Sequence, residues 1–318
     1  MTMPVLEAIP PITRLSSRVF RILGLNPSMM TLQGSNTYLV GTGAERVLID
    51  SGEGMKGYGD LLRETLARAG AELGAPVTIS QLLLTHWHPD HVGGVDAVRA
   101  LNPQVRVMKQ PSQFNPVPVD AQSELPPAVL AVEGATLRLL ALPGHTDDMV
   151  CAFLEEEQAL FTSDNILGVG TSTFSCYHDY MRTLDRMVAL GPALLYPAHG
   201  PVVADGVQRV REIIAHRQQR EDQILAALAR ADRALCITDL VRQIYTSTPQ
   251  HLWGAAGLNV FHHLKKLIHE AKVSVVACPD AKTDLLSDAS DYAMLGEGVK
   301  TDPHLLQRML SEFLVKKA

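Results

Sequence analysis

Ile79-Ser80-Gln81-Leu82-Leu83-Leu84-Thr85-His86-Trp87-His88-Pro89-Asp90-His91-Val92-Gly93-Gly94 is the stretch on which the reading of this 318-residue chain turns. It opens as a strand whose three consecutive leucines fit burial on both faces. It closes as a polar loop. His86 and His88 alternate around Trp87 just past the strand, so both imidazoles can face one side of the loop, and Asp90 and His91 follow after a turn at Pro89. Four side chains that bind hard-to-borderline metals fall within six positions, a density that packing alone does not account for. Buried without partners, such groups are costly to desolvate, and a bound cation removes that cost.

Three later positions repeat the arrangement of an apolar strand followed by a ligand-type residue beside Gly, Pro or a small neighbour. They are His145 in Pro143-Gly144-His145-Thr146-Asp147, Asp164 in Ser163-Asp164-Asn165, and His199 in Tyr196-Pro197-Ala198-His199-Gly200. Loops at the carboxyl edge of a sheet converge on one cavity, so His86, His88, Asp90, His91, His145, Asp164 and His199 form the candidate site. Asp147 is weighed as an orienter of a ligand histidine and, equally, as a plain turn residue. His178, His216, His251, His262, His263, His269 and His304 read as surface or packing residues. His178 and Tyr180 are also weighed for a pocket position, and Asn259, Lys265 and Lys266 for substrate contact.

Strands are expected over residues 36–40, 46–50, 79–84, 105–108, 135–142, 150–154, 159–162 and 194–196. Helices are expected near 61–69, 95–100 and 180–190, a layered α/β pattern. From residue 205 the character becomes helical, with segments to about 231, after 238 and over 255–271, then an apolar strand at 273–277. Three helices and a strand suggest a small winged-helix-like lobe. The expected division is 1–204 for the α/β domain, 205–278 for the helical lobe and 279–318 for a polar tail with a last amphipathic helix over 303–315. The lobe carries a net charge of +3 and the remainder −9, a surplus that suits a polyanion or an ordinary solvated helical surface.

Hydrophobic residues at 46% and charged residues at 19%, with 23 Gly and 19 Pro, exclude a disordered or fibrous chain. No apolar stretch approaches a membrane span, and the start lacks a secretory pattern, so an intracellular protein without membrane association is expected. Residues 13–24, with Arg14, Arg18 and Arg21, resemble part of a mitochondrial transit peptide. Glu7 and three early prolines argue against that, leaving cytoplasm or mitochondrial matrix. The four scattered cysteines, Cys151, Cys176, Cys236 and Cys278, read as reduced thiols.

The motif from Thr85 to Gly94, followed by His145, Asp164 and His199 in that order, resembles the metallo-β-lactamase superfamily. That resemblance implies an α/β fold, the αββα metallo-β-lactamase sandwich, with the winged-helix-like lobe behind it. It implies two divalent cations, zinc first with manganese or iron compatible. His86, His88 and His145 would hold one, Asp90, His91 and His199 the other, and Asp164 would bridge them. Asp90, Asp164 and His199 are the expected catalytic residues of a dinuclear hydrolase using a bridging hydroxide, because paired cations acidify a shared water. Leu15-Ser16-Ser17-Arg18-Val19, Met30-Thr31-Leu32-Gln33-Gly34-Ser35-Asn36-Thr37-Tyr38-Leu39-Val40-Gly41 and His262-His263-Leu264-Lys265-Lys266-Leu267 are similar to the β-lactamase-like protein 2 family. Its members imply endoribonuclease action on single-stranded RNA. Gly34 to Gly41 is also similar to thioesterases that release acyl chains from carrier proteins, so hydrolysis of an acyl-carrier or glutathione thioester stands as the alternative, with a non-catalytic RNA-binding role behind both.

Overall fold

The computed structural model describes residues 6–113, 124–277 and 314–317. Six strands lie side by side in chain order: β1 (Ile12–Arg14), β2 (Val19–Leu23), β3 (Asn36–Val40), β4 (Glu45–Ile49), β5 (Thr78–Leu84) and β6 (Arg106–Lys109). The first four pair antiparallel, whereas β4 with β5 and β5 with β6 are parallel. Parallel neighbours need a crossover. It is supplied by α1 (Tyr58–Leu73) and, after the one-turn α2 (Pro89–Val92), by α3 (Val95–Leu101).

A second sheet runs in the order β11 (Leu194–Pro197), β10 (Ala159–Ser163), β9 (Val150–Leu154), β8 (Ala135–Ala141) and β7 (Val129–Val132). The crossover between the parallel β10 and β11 contains α4 (Tyr177–Leu190). Val40, Ile49, Leu83 and Met108 of the first sheet pack with Leu137, Ala152 and Phe161 of the second. The other face of the first sheet, with Leu48, Leu82 and Leu84, packs against Tyr58 and Leu62 of α1 and Val98 of α3. Along α4, Thr183 Oγ1 donates to Pro143 O at 2.6 Å and Arg186 to Ala141 O at 2.8 Å, tying it to the end of β8. The layers are helix, sheet, sheet, helix, as expected.

The described residues group into two compact units: 6–113, 124–174 and 183–210 in one, and 175–182, 211–277 and 314–317 in the other. The last change of unit along the chain lies inside α5 (Gly206–Arg230). The second unit also contains β12 (Leu235–Cys236), α6 (Ile237–Ile244), α7 (Trp253–His269), β13 (Val273–Ala277) and β14 (Leu314–Lys317). Its core gathers Ile224, Ile237, Leu240, Phe261, Leu264 and Val315. The sheet order is β12-β14-β13, so three strands stand where the sequence suggested one. The helix expected over 303–315 lies outside the described residues except for Leu314 and Val315, which begin β14. Val315 enters the core while its backbone pairs with Leu235 and Val275 on either side.

Residues 13–24, with their three arginines, form most of β1 and β2, and Arg21 is buried with its guanidinium donating to Thr13 Oγ1 at 3.1 Å. Cys151, Cys176 and Cys236 are in no disulfide among the described residues, and Cys278 lies outside them. Among those described, no helix is long and apolar enough to cross a membrane.

Candidate metal centre

All seven candidate residues meet at the carboxyl ends of β5, β8, β10 and β11. They fall into two groups able to hold a cation: His86, His88, His145 and Asp164, and Asp90, His91 and His199. In the first, His88 Nδ1 lies 2.9 Å from His86 Nε2 and 3.1 Å from His145 Nε2. Ring nitrogens at tetrahedral positions around a zinc ion, about 2.0–2.1 Å from it, stand roughly 3.3 Å apart, so the spacing fits.

Each of three histidines has its outward nitrogen engaged. His145 Nδ1 donates to Thr173 O at 2.9 Å, and His91 Nδ1 donates to Asp50 Oδ2 at 2.8 Å. His86 Nδ1 lies 3.1 Å from Thr85 Oγ1, whose own hydroxyl is bound to Asp50 Oδ2 at 2.9 Å. With Nδ1 engaged outward, Nε2 is in all three the atom that faces the centre and would meet a cation. His91 Nε2 and Asp164 Oδ1 are buried without a well-formed hydrogen bond, 3.6 Å apart. Buried polar atoms without partners are rare, and a shared cation explains both.

Asp164 faces both groups. Its Oδ2 lies 3.5 Å from His145 Nε2, and its Oδ1 lies 3.2 Å from His199 Nε2. Asp90 Oδ2 approaches His91 Nε2 at 3.2 Å and His199 Nε2 at 3.3 Å, while receiving the Ser35 hydroxyl at 3.0 Å.

The electrostatics divide along the same line. Burial and the neighbouring imidazoles hold His86 well below the usual histidine range, and burial followed by His145 brings His88 to about 3. Burial also opposes charge on His91 and His199, yet Asp90, Asp164 and Asp50 raise the first well above its normal range, and Asp164 with Asp90 pushes the second up to about 9. Asp90 and Asp164 are kept ionised against the effect of burial, chiefly by His91 in one case and His199 in the other. His86 and His88 are thus held as neutral imidazoles, whereas His91 and His199 hold protons that a divalent cation would displace.

β3 positions His199. Asn36 Nδ2 donates to Pro197 O at 2.8 Å and to Gly200 O at 2.9 Å, and Ser35 forms a backbone bridge to His199. Asp50 is the residue the sequence reading missed. A lone carboxylate directly after Val47-Leu48-Ile49 was the signal, but its partners Thr85 and His91 are distant in the chain. Asp147 contacts no ligand histidine: its carboxylate receives the Ser112 hydroxyl and the Gln113 amide, both at 2.7 Å.

Within the second unit, His178 is exposed beside His269, with ring centroids 5.8 Å apart, and Tyr180 is buried under Arg217. Lys266 pairs with Glu221 and Glu270, both at 2.9 Å, and Arg233 with Asp239 at 2.9 Å. These pairs lie within the lobe and leave its net charge unchanged.

Comparison with known proteins gives the same picture. Residues 30–199 match the Metallo-beta-lactamase superfamily, and residues 237–282 match the Beta-lactamase associated winged helix domain. A Drosophila melanogaster protein named Beta-lactamase-like protein 2 homolog is 40% identical over 290 residues, covering 86% of this chain and 95% of its own. The Atrochrysone carboxyl ACP thioesterase nsrC of Aspergillus novofumigatus is 43% identical over 231 residues, covering 72% and 68%. Among solved structures, a metallo-beta-lactamase family protein from Thermus thermophilus superposes with a TM-score of 0.63 at 25% identity, over 82% of this chain and 97% of that one.

Proposed function

Because the chain belongs to the metallo-beta-lactamase superfamily, with its associated winged helix, we propose that it is a dinuclear zinc hydrolase that cleaves single-stranded RNA. The observation that carries the hydrolytic reading is the convergence of seven donors into two groups with Asp164 facing both. His86, His88 and His145 would hold the first cation, Asp90, His91 and His199 the second, and Asp164 would serve both. When bound, two such cations acidify a shared water and polarise the oxygen of the group under attack.

The protein's own atoms supply the rest. Asp50 and Thr173 O retain the Nδ1 protons of His91 and His145, so those rings cannot turn their lone pairs outward. Ser35 holds Asp90 through one carboxylate oxygen. Asp90 and Asp164 would both serve as ionised donors, the Asp90 side chain 20% exposed and that of Asp164 11%.

RNA is favoured by the match to the protein named Beta-lactamase-like protein 2 homolog, which spans nearly all of that protein, and by the family's implied nuclease action. A second reading, acyl-thioester hydrolysis, rests on a specific observation. Met29 and Met30 are 73% and 70% exposed, on the β2–β3 loop whose stem reaches the site through Ser35. Such exposed thioethers suit an apolar acyl group.

The deciding experiment incubates labelled single-stranded RNA and, separately, an acyl-thioester with the native chain and with Asp164→Asn. RNA cleavage by the native chain that falls to background in the variant is expected. Cleavage persisting undiminished in the variant removes the nuclease reading, and thioester turnover alone transfers the assignment to the second.

A further inference from the structure

The loop that carries His145 is also held by residues outside the seven candidate donors. β6 ends at Lys109, which pairs in register with Leu84, two positions before His86. Lys109 Nζ donates to the Asp148 carboxylate and, at 2.6 Å, to Gln110 O. Both partners are buried, with side chains 8% and 0% exposed. A second clasp lies next to it, where Ser112 Oγ and the Gln113 amide both donate to Asp147 at 2.7 Å. The clasps therefore run from the edge strand of the first sheet, beside the strand end that presents His86 and His88, to the β8–β9 loop of the second sheet, which presents His145.

A buried ion pair is a poor stability device, because removing two charges from water offsets most of their attraction. What it does supply is a fixed distance and direction. The three imidazoles of the first group come from both sheets, and their nitrogens must keep spacings of 2.9 and 3.1 Å. A small slide of one sheet over the other would open that triangle while leaving the apolar contacts between them largely intact.

We infer that the Lys109–Asp148 ion pair, with the Ser112–Asp147 clasp beside it, is a positioning device that sets the His88–His145 spacing and thereby the affinity of the three-histidine cation position. This rests on the proposed metal centre. It predicts a selective effect: the position held by Asp90, His91 and His199 has no ligand on the clasped loop.

The test is titration of metal-free protein with zinc against a chromophoric chelator, with cobalt absorption spectra and native mass spectrometry to separate the two positions. Lys109→Met should weaken the three-histidine position about 10- to 100-fold, alter its cobalt spectrum and leave the other position unchanged; Lys109→Arg should restore part of the affinity. Two equivalents bound by Lys109→Met with native affinities overturns the inference and leaves the hydrolase reading standing. A native chain that takes up no cation overturns both. Should Lys109→Met fail to fold, Asp147→Asn decides, because it leaves the buried pair intact: a smaller loss confined to the three-histidine position is expected, and unchanged affinity at both positions rejects the inference.

Discussion

Asp50 stands at the end of β4 with a φ of 60°, a left-handed conformation that disfavours residues other than glycine. The conformation directs its carboxylate onto three donors: Thr85 N at 2.8 Å, Thr85 Oγ1 at 2.9 Å and His91 Nδ1 at 2.8 Å. An amide in its place keeps one acceptor and gains a donor, so one of these hydrogen bonds meets a second N–H. Asp50→Asn is therefore expected to lower zinc affinity at the Asp90, His91, His199 position about 10- to 100-fold, with an unchanged far-ultraviolet circular dichroism spectrum. Competition with a chelator measures this, and native affinity would mean that His91 is oriented by packing alone. The ligands themselves were legible because four of them crowd into one short motif. Asp50 was not, because its role depends on a contact across 41 positions that only the β4–β5 register creates.

At the scale of elements, β5 shows why a run of leucines reads correctly as a strand buried on both faces. Leu82 and Leu84 face the helices α1 and α3, and Leu83 faces the second sheet. Leu83→Ala would leave a void between two sheets that cannot easily close, and a loss of about 2–5 kcal/mol is expected in urea unfolding. A loss under about 1 kcal/mol would mean that the sheets repack there. β2 was missed for the converse reason. All five of its residues are buried, including Arg21, so no alternation marks it, and its arginine suggested a targeting segment instead. β14 has four residues and little pattern of its own; it becomes a strand because β12 and β13 offer edges on both sides.

On the scale of the whole molecule, two units differ in what their buried polar groups do. In the first, buried histidines and carboxylates present lone pairs and charge to a common centre. In the second, Glu221, 1% exposed, accepts from Lys266 at 2.9 Å and lies 3.7 Å from His263, whose ring stands edge-on to Tyr177 at 4.5 Å. Burial lowers His263 to about 4 despite Glu221; burial opposes charge on Glu221, but the neighbouring His263, Lys266 and Tyr177 lower it to about 2. The unfolded chain takes up the histidine proton near 6.5 and the glutamate proton near 4.5, before the folded unit does in either case. Stability from these groups is thus complete above pH 6.5, falls toward pH 4 through His263, and falls further toward pH 2 through Glu221. Thermal unfolding against pH should show this acid-side decline, and His263→Phe should flatten it between pH 6.5 and 4. An identical profile in the variant would place the decline elsewhere.

The sequence by itself determined that seven candidate donors follow strand ends, that a layered α/β pattern carries them and that a helical lobe follows. Those conclusions rest on periodicity and on residues crowded together or set in short local motifs, which are properties of neighbours in the chain. Only the tertiary structure decided which nitrogen each histidine turns inward, that Asp164 presents an oxygen to each group, that Asp50 contacts His91 and that Lys109 meets Asp148 beside the candidate donors. Those are consequences of strand register and of two sheets meeting face to face, and no local pattern encodes the distance between residues that such pairing brings together.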